Sequence, residues 1–580
     1  MKPADENLLK KFLDKFNPET LTLETYTGTG DNRDDFTYWV EWKLDCFGGI
    51  KGGSSYKFGV YKCNNEPEKS NSHSSSTDEK GNSYAWATKY TKEKDDTKEK
   101  AFETVKERIC SIKKAVQDVI DYDKIESIDL GPAFKWKIAF LYSNNRLVPV
   151  YQLNALSNAA KRIGVYPEDE KKGTKVTIAK LQEKLMKYYE KNKGEYDNDV
   201  CKFGSYVWQI GTSDLSQSNQ IIKYGAPGTG KTYSVEKEAR EFFIIWKLDA
   251  RIDNLNTEYK FEDHFKFVQF HPSYTYEDFI EGIKPVINKT GQTELKLKNG
   301  IFKAFCKKAA EYEIWLLQND ILKKEKSDDD DNEEKCLYEK IKVKDVKNNE
   351  KYTQETSPFK DILENANNEE PISKYIPPYF FVIDEINRAD LSRVFGELMY
   401  CLEYRGYKGR IKTQYSELEE GDTIFYDEEN GSHFFFIPNN VYIIGTMNTI
   451  DRSIESFDFA LRRRFLWQRV EPDETVLQEY FEEKGKSDFI DIIPSWKNLN
   501  KRIEKDALLG PDYQIGHSYL MKLDKYPDCK KKSYCNIIWE KHIQPILEEY
   551  FRGTGDAKSK IGEYKKVFIP QKINNNGTDS

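Results

Sequence analysis

Ile221-Ile222-Lys223-Tyr224-Gly225-Ala226-Pro227-Gly228-Thr229-Gly230-Lys231-Thr232-Tyr233 organises what can be read from this chain. An apolar run stops abruptly in a glycine-rich turn, and helical spacing follows from Thr232. The turn fits G-x-x-x-x-G-K-[ST] at every fixed position. Gly225, Gly228 and Gly230 let the backbone bend so that successive N–H groups point inward and cradle phosphate oxygens. The helix that follows adds the positive end of its dipole. Lys231 is long enough to reach β and γ phosphates, and the Thr232 hydroxyl can ligate Mg²⁺. An ordinary strand-to-helix turn has no need of an eight-residue pattern with all four fixed positions matched. Residues 225–233, from Gly225, Ala226 and Pro227 through Thr229 to Tyr233, therefore form the expected nucleoside triphosphate cradle.

Two apolar strands downstream end in chemistry that suits such a loop. Pro378-Tyr379-Phe380-Phe381-Val382-Ile383-Asp384-Glu385 finishes in adjacent carboxylates, and a strand tip delivers its residues to the crevice where ligands bind in open α/β sheets. Asp384 is placed for the Mg²⁺ shell and Glu385 to polarise the attacking water; the alternative is a helix cap. Asn440-Val441-Tyr442-Ile443-Ile444-Gly445-Thr446 leads into Met447-Asn448-Thr449-Ile450-Asp451-Arg452-Ser453, where Asn448 can bond the γ-phosphate or the water. Phe459-Ala460-Leu461-Arg462-Arg463-Arg464-Phe465 sets three guanidiniums in a row. Successive helical positions point in different directions, so the three do not share one role. One reaching a neighbouring subunit's nucleotide as an arginine finger is worth on the order of 10³-fold in rate; a solvated basic helix end is the alternative.

From about 205 to 475 the pattern alternates strand and helix, as in a parallel sheet with flanking helices. Phe267-Val268-Gln269-Phe270 reads as a short buried strand. Residues 313–372 are a charge-dense interval holding Asp328-Asp329-Asp330-Asp331, read as a surface insertion whose acid run is solvated. Helical periodicity takes over from 476 as a lid. The expected domains are 1–200, an N-terminal α+β region for target recognition; 201–475, the nucleotide-binding core; 476–565, the lid; and 566–580, a disordered tail.

These motifs together resemble the McrB family of AAA+ proteins. The resemblance is carried by the loop at 225–232, Asp384-Glu385-Ile386-Asn387-Arg388-Ala389-Asp390 and Met447-Asn448-Thr449-Ile450-Asp451-Arg452-Ser453. It is also carried by His271-Pro272-Ser273-Tyr274-Thr275-Tyr276-Glu277-Asp278-Phe279-Ile280-Glu281-Gly282 and by Ile515-Gly516-His517-Ser518-Tyr519. It covers about 205 to 550 and implies an α/β AAA+ fold in the motor subunit of a modification-dependent restriction system. Members form hexameric rings, usually hydrolyse GTP rather than ATP, and act with a separately encoded McrC-type endonuclease. An N-terminal domain in such proteins recognises modified DNA. Residue by residue, Lys231, Thr232, Asp384 and Glu385 match the loop, metal and water positions, and Asn448 and Asp451 match the signature. Arg388 and Arg463 match the charge-stabilising arginines, and Arg464 a structural or sensor arginine. His517 lies in the lid motif, either sensing nucleotide or simply satisfied within a helix. A phosphate loop reads phosphates and not bases, so GTP over ATP rests on the resemblance alone.

Composition bounds the remainder. At 580 residues the chain is long enough for about three or four domains. Charged residues are 32% and mean hydropathy is −0.78. No run approaches the roughly 18 apolar residues of a membrane span, and Met1-Lys2-Pro3-Ala4-Asp5-Glu6 lacks a secretory core. Nine cysteines without pattern suggest reduced thiols, hence a cytoplasmic setting. A net charge of −8 argues against coating nucleic acid through bulk charge. In the first 200 residues, 7–16, 98–119, 153–163 and 176–192 read as helices. Residues 36–44, 56–61, 134–142 and 147–151 read as strands, and 64–82 as a mobile loop. Trp39, Trp42, Trp86 and Trp136 are core or the walls of a base-stacking pocket. No nuclease motif is found on a convincing strand pair. A protein-remodelling AAA+ chaperone of MoxR type and a nucleotide-switched scaffold are the competing functions.

Overall fold

The structure, a computed structural model, describes residues 5–29, 33–50, 55–63, 73–79, 81–91, 97–167, 176–250, 259–289, 291–322, 341–349, 357–363, 366–418, 423–428, 431–450, 459–526 and 534–569. Its contacts divide into two units, Met1–Gln217 and Ser218–Ser580. Asp328 to Asp331 lie outside the described residues, and the helix Ala557–Phe568 runs into the start of the expected tail.

The first unit is mostly helical, with one small antiparallel sheet. Strands β1 (Val60–Cys63), β2 (His73–Thr77) and β3 (Ser83–Ala87) lie in the order β1-β3-β2. Helices Lys98–Ala115, Leu153–Ile163 and Ile178–Asn192 fall where helical spacing puts them. Three expected strands are corrected, and 56–61 in part, since Ser55–Phe58 is a 3-10 turn and only Val60 and Tyr61 belong to β1. Residues 36–43 are helical: the Asp35 carboxylate caps Tyr38 N at 3.0 Å, and Phe36 and Trp39 pack on Phe12 with ring centroids 5.6 and 6.3 Å away. Residues 134–142 belong to the helix Pro132–Tyr142, buried on every side. Its Lys137 is fully buried, donating to Leu44 O and Gly48 O at 3.0 and 2.6 Å. Residues 147–151 form no strand: the chain bends at Leu147 and Pro149, Val150 N donates to Val148 O at 2.8 Å, and the buried Gln182 side chain bonds Val148 N, Val148 O and Val150 O. The expected loop at 64–82 contains β2. Trp39, Trp86 and Trp136 are core, whereas Trp42 is half exposed.

The second unit adds β4 (Gln220–Gly225), β5 (Phe265–Gln269), the hairpin β6 (Glu281–Ile287) and β7 (Thr293–Asn299), and β8 (Tyr379–Asp384). After the short pair β9 (Phe425–Asp427) and β10 (Ser432–Phe434) come β11 (Val441–Asn448) and β12 (Leu466–Arg469). Five of these build one sheet in the order β12-β4-β11-β8-β5, with every neighbour parallel. Apolar cover on both faces explains why β8 reads as a continuous hydrophobic run. Phe380 meets Phe242 of the helix Lys231–Asp249 at 5.9 Å, while Phe381 meets Phe302 of the helix Ile301–Ala309 at 4.9 Å. A separate helical core then follows, from Glu474 to Phe568, built on Leu477, Trp496, Leu499 and Trp539. Among the described residues no helix is long and apolar enough to cross a membrane.

Candidate active site

Strand order sets three C-terminal tips side by side. Asn448 lies opposite Gly225 in the β11–β4 register, and Gly445 opposite Ile383 in the β11–β8 register. The end of β4, which runs into the phosphate loop, and the end of β8, which carries Asp384 and Glu385, thus flank the end of β11.

Side chains from these tips form one bonded cluster. Thr232 Oγ1 donates to Asp384 Oδ1 at 2.8 Å, Thr446 Oγ1 donates to the same oxygen at 2.5 Å, and Gln269 Nε2 approaches Oδ2 at 3.5 Å. Asn448 Nδ2 donates to Glu385 Oε1 at 2.7 Å, and Arg388 Nε lies 3.5 Å from Glu385 Oε2. Glu385 itself has φ +52°, a left-handed conformation uncommon outside glycine and costing on the order of 1–3 kcal/mol. Its N–H reaches Thr446 Oγ1 at 3.4 Å, and the Asn448 bond helps hold it in place.

The phosphate loop is formed and ends in a helix of 19 residues. Gly228 has φ +76°, and a Cβ there would meet the Tyr519 ring at 2.6 Å, so only glycine fits. Lys231 is 7% exposed, and its Nζ donates to Gly225 O at 3.1 Å and Ala226 O at 2.8 Å. Neutral carbonyls solvate a buried ammonium less well than an anion does, so the site favours a negatively charged ligand. Thr232 and Asp384 present two hard oxygen atoms side by side. That donor set fits Mg²⁺, which takes one or two protein oxygens plus water and phosphate oxygens. Among the described residues no cluster of three or more His, Cys, Asp or Glu could hold a metal by itself.

The structure thus brings together Lys231, Thr232, Asp384, Glu385, Arg388 and Asn448. It does not gather Arg463 and Arg464 with them. Arg464 Nη2 lies 2.7 Å from Glu403 Oε2 and Nη1 donates to Ala460 O at 2.8 Å, whereas Arg463 is 3.3 Å from the same carboxylate and 65% exposed. Both precede β12, whose Leu466 pairs with Ile221, four residues before Gly225 and roughly 13 Å down the strand. Tyr233 is exposed, and Asp451 lies outside the described residues. Thr446, Gln269 and Asn387, which donates to Asn448 O at 3.4 Å, escaped the sequence reading. Thr446 sits two positions before Asn448 on one strand, so period-2 alternation puts both on one face and was the available signal.

Beside the loop opens a cleft of about 1080 Å³ lined by Gly230, Tyr233, Arg469, Asp473, His517 and Ser518. Asp473 N donates to His517 Nδ1 at 3.3 Å, and burial lowers the pKa of this histidine.

Residues 220–465 match the family model described as AAA domain (dynein-related subfamily), and residues 491–560 match that described as McrB, alpha-helical lid domain. The type IV methyl-directed restriction enzyme EcoKMcrB subunit of Escherichia coli (strain K12) is 33% identical over 347 residues, 58% of this chain and 55% of that protein. The type II restriction enzyme BsuMI component YdiS of Bacillus subtilis (strain 168) is 28% identical over 309 residues, 50% of this chain and 71% of that protein. The chain therefore spans little more than half the length of the Escherichia coli relative.

Proposed function

The chain belongs to the McrB-like AAA+ family, and on that premise we propose that it is the GTP-hydrolysing motor of a modification-dependent restriction system. The observation that carries this reading is the Thr232–Asp384 bond of 2.8 Å beside the Asn448–Glu385 bond of 2.7 Å, at the mouth of the phosphate loop.

In this reading the loop N–H groups and Lys231 bind the β and γ phosphates. Thr232 and Asp384 hold Mg²⁺, which when bound neutralises charge on the phosphate oxygens. Thr446 and Gln269 orient Asp384. Glu385 accepts the proton of the attacking water, and Asn448 fixes the carboxylate that does so. Arg388 supplies positive charge next to Glu385. Arg463, exposed and remote from its own loop, serves the nucleotide of the next protomer in a ring, whereas Arg464 holds its segment through Glu403.

The unit Met1–Gln217 recognises modified DNA, and a McrC-type endonuclease subunit is the partner that cuts. The lid match to McrB and the two restriction-system relatives favour this reading over a protein-remodelling chaperone. Steady-state hydrolysis of GTP and ATP by the wild type and by Glu385→Gln tests it. Turnover of GTP that the variant loses while still binding nucleotide is expected; full turnover by the variant refutes the assignment, and a clear ATP preference removes GTP. Retardation of modified duplexes, falling steeply with salt, tests the recognition role.

A further inference from the structure

The lid touches the phosphate loop through its backbone. Gly516 N donates to Pro227 O at 3.2 Å and Ser518 N donates to Gly228 O at 3.0 Å. In a trans peptide the C=O and the following N–H point in opposite directions. Holding Pro227 O and Gly228 O towards the lid therefore turns the N–H groups of Gly228 and Thr229 the other way, into the concavity where phosphate oxygens bind. The approach is too close for any side chain: a Cβ on Gly516 would stand 2.1 Å from Gly228 C.

The lid side of this contact is itself held firmly. Asn500, 5% exposed, accepts from Ile515 N at 2.7 Å and donates to Ile515 O at 3.0 Å, and Trp496 Nε1 donates to the same carbonyl at 2.8 Å. Residue 515 thus has both backbone groups tied to the lid core, and Gly516 follows it directly. On the next residue, His517 Nδ1 accepts from Asp473 N, which leaves the proton on Nε2, the nitrogen 3.2 Å from the Cβ position of Gly230. A rigid lid edge meets a loop whose own glycines have little conformational preference.

We propose that the lid segment Gly516–Ser518 is a positioning clamp that sets two peptide units of the phosphate loop with their N–H groups facing the nucleotide. This deepens the nucleotide site described above and rests on that reading. Its consequence is reciprocal coupling: lid docking raises phosphate affinity, and bound phosphate holds the lid down by the same factor.

The test uses the full chain and fluorescent GTP and ATP analogues. Gly516→Ala wedges the lid from Gly228 and is expected to weaken nucleotide Kd and raise KM at least tenfold, with kcat at saturation changed less than threefold. Gly562→Ala, in a lid helix where an added Cβ meets nothing within 4 Å, is expected to match the wild type. Hydrogen exchange on the wild type provides a second measurement that needs no variant to fold. Saturating nucleotide should slow exchange across 514–521 together with 226–232. Protection confined to 226–232, or unchanged affinity in a folded Gly516→Ala, overturns the clamp alone. A wild type that binds neither nucleotide overturns the clamp and the site together.

Discussion

Replacing Thr446 by Val probes whether the strand tips work as one unit. Thr446 is 2% exposed, lies one strand away from the carboxylates and touches no residue of the phosphate loop in the bonds described, so nucleotide affinity should change less than threefold. The substitution keeps the volume but deletes the donor that reaches Asp384 Oδ1 at 2.5 Å and the acceptor facing Glu385 N at 3.4 Å. A hydrogen bond to a charged group contributes about 1.5–3 kcal/mol. The longer contact to Glu385 adds less, although it steadies a residue held at φ +52°. With 1.4 kcal/mol per factor of ten, kcat/KM should fall about ten- to hundredfold, and more Mg²⁺ should be needed for half-maximal rate. Steady-state hydrolysis against a Mg²⁺ titration, with nucleotide Kd measured in parallel, gives both quantities. Should kcat/KM stay within threefold of wild type at every Mg²⁺ concentration, Thr446 has no part in orienting the carboxylates.

Arg464→Ala should lower stability by about 1–3 kcal/mol, since it strips a largely buried guanidinium from Glu403 and Ala460 O, and a thermal melt reads this directly. Arg463→Ala should leave the melt unchanged and cut turnover on the order of 10³-fold in the assembled state; equal losses of stability in the two variants would contradict the division of roles. Lys303→Met should destabilise the core by about 3–5 kcal/mol in chemical denaturation, because it leaves Glu281, fully buried and paired with Lys303 across the hairpin base, without its cation. His264, its ring centroid 4.3 Å from that of Tyr379 in a tilted contact, has its pKa pushed down to about 4 by burial, with Lys308 adding to the effect. Its unfolded value is near 6.5, so the unfolded chain binds the extra proton and stability falls as pH drops from about 6.5 towards 4, by about 3 kcal/mol in all. In His264→Phe the melting temperature should lose that part of its pH slope.

Where the fold was legible, residue chemistry and periodicity agreed. The apolar runs ending at Gly225, Asp384 and Asn448 are buried parallel strands, and Thr97, Thr177 and Asp473 cap helices whose spacing is plain. Where it was not, tertiary burial disguised the period. Residues 134–141 are apolar or buried on all sides, Lys135 and Lys137 included, and a helix buried all round shows no amphipathic stripe to tell it from a strand. Residues 36–44 alternate aromatic and polar side chains, but the buried positions Phe36, Val40 and Leu44 recur every fourth residue, which is helical spacing. Val148 and Val150 sit in a bent segment in which Val150 N bonds Val148 O and one glutamine side chain takes Val148 N, Val148 O and Val150 O, a long-range pairing that no local pattern signals.

The site shows the same division between what a stretch encodes and what assembly adds. Asp384 and Asn448 were visible at the ends of apolar runs, because strand ends are where parallel sheets display their ligands, and Lys231 and Thr232 were visible in the glycine-rich turn. Their adjacency was not visible, because it depends on β11 entering between β4 and β8, and a strand's place in a sheet is set by crossovers and by packing on both faces. That insertion sets Thr446 and Asn448 against the carboxylates: one bonds Asp384, the other Glu385, two positions apart on one strand. The same order puts β12 on the far side of β4, with Arg463 and Arg464 before its first residue, by the start of β4 rather than its tip. An arginine on that end of the sheet stands roughly 13 Å down the strand from its own loop, and the trans role proposed for Arg463 rests on that separation. Sheet order, more than the guanidinium count, is therefore the physical ground on which a shared active site is proposed.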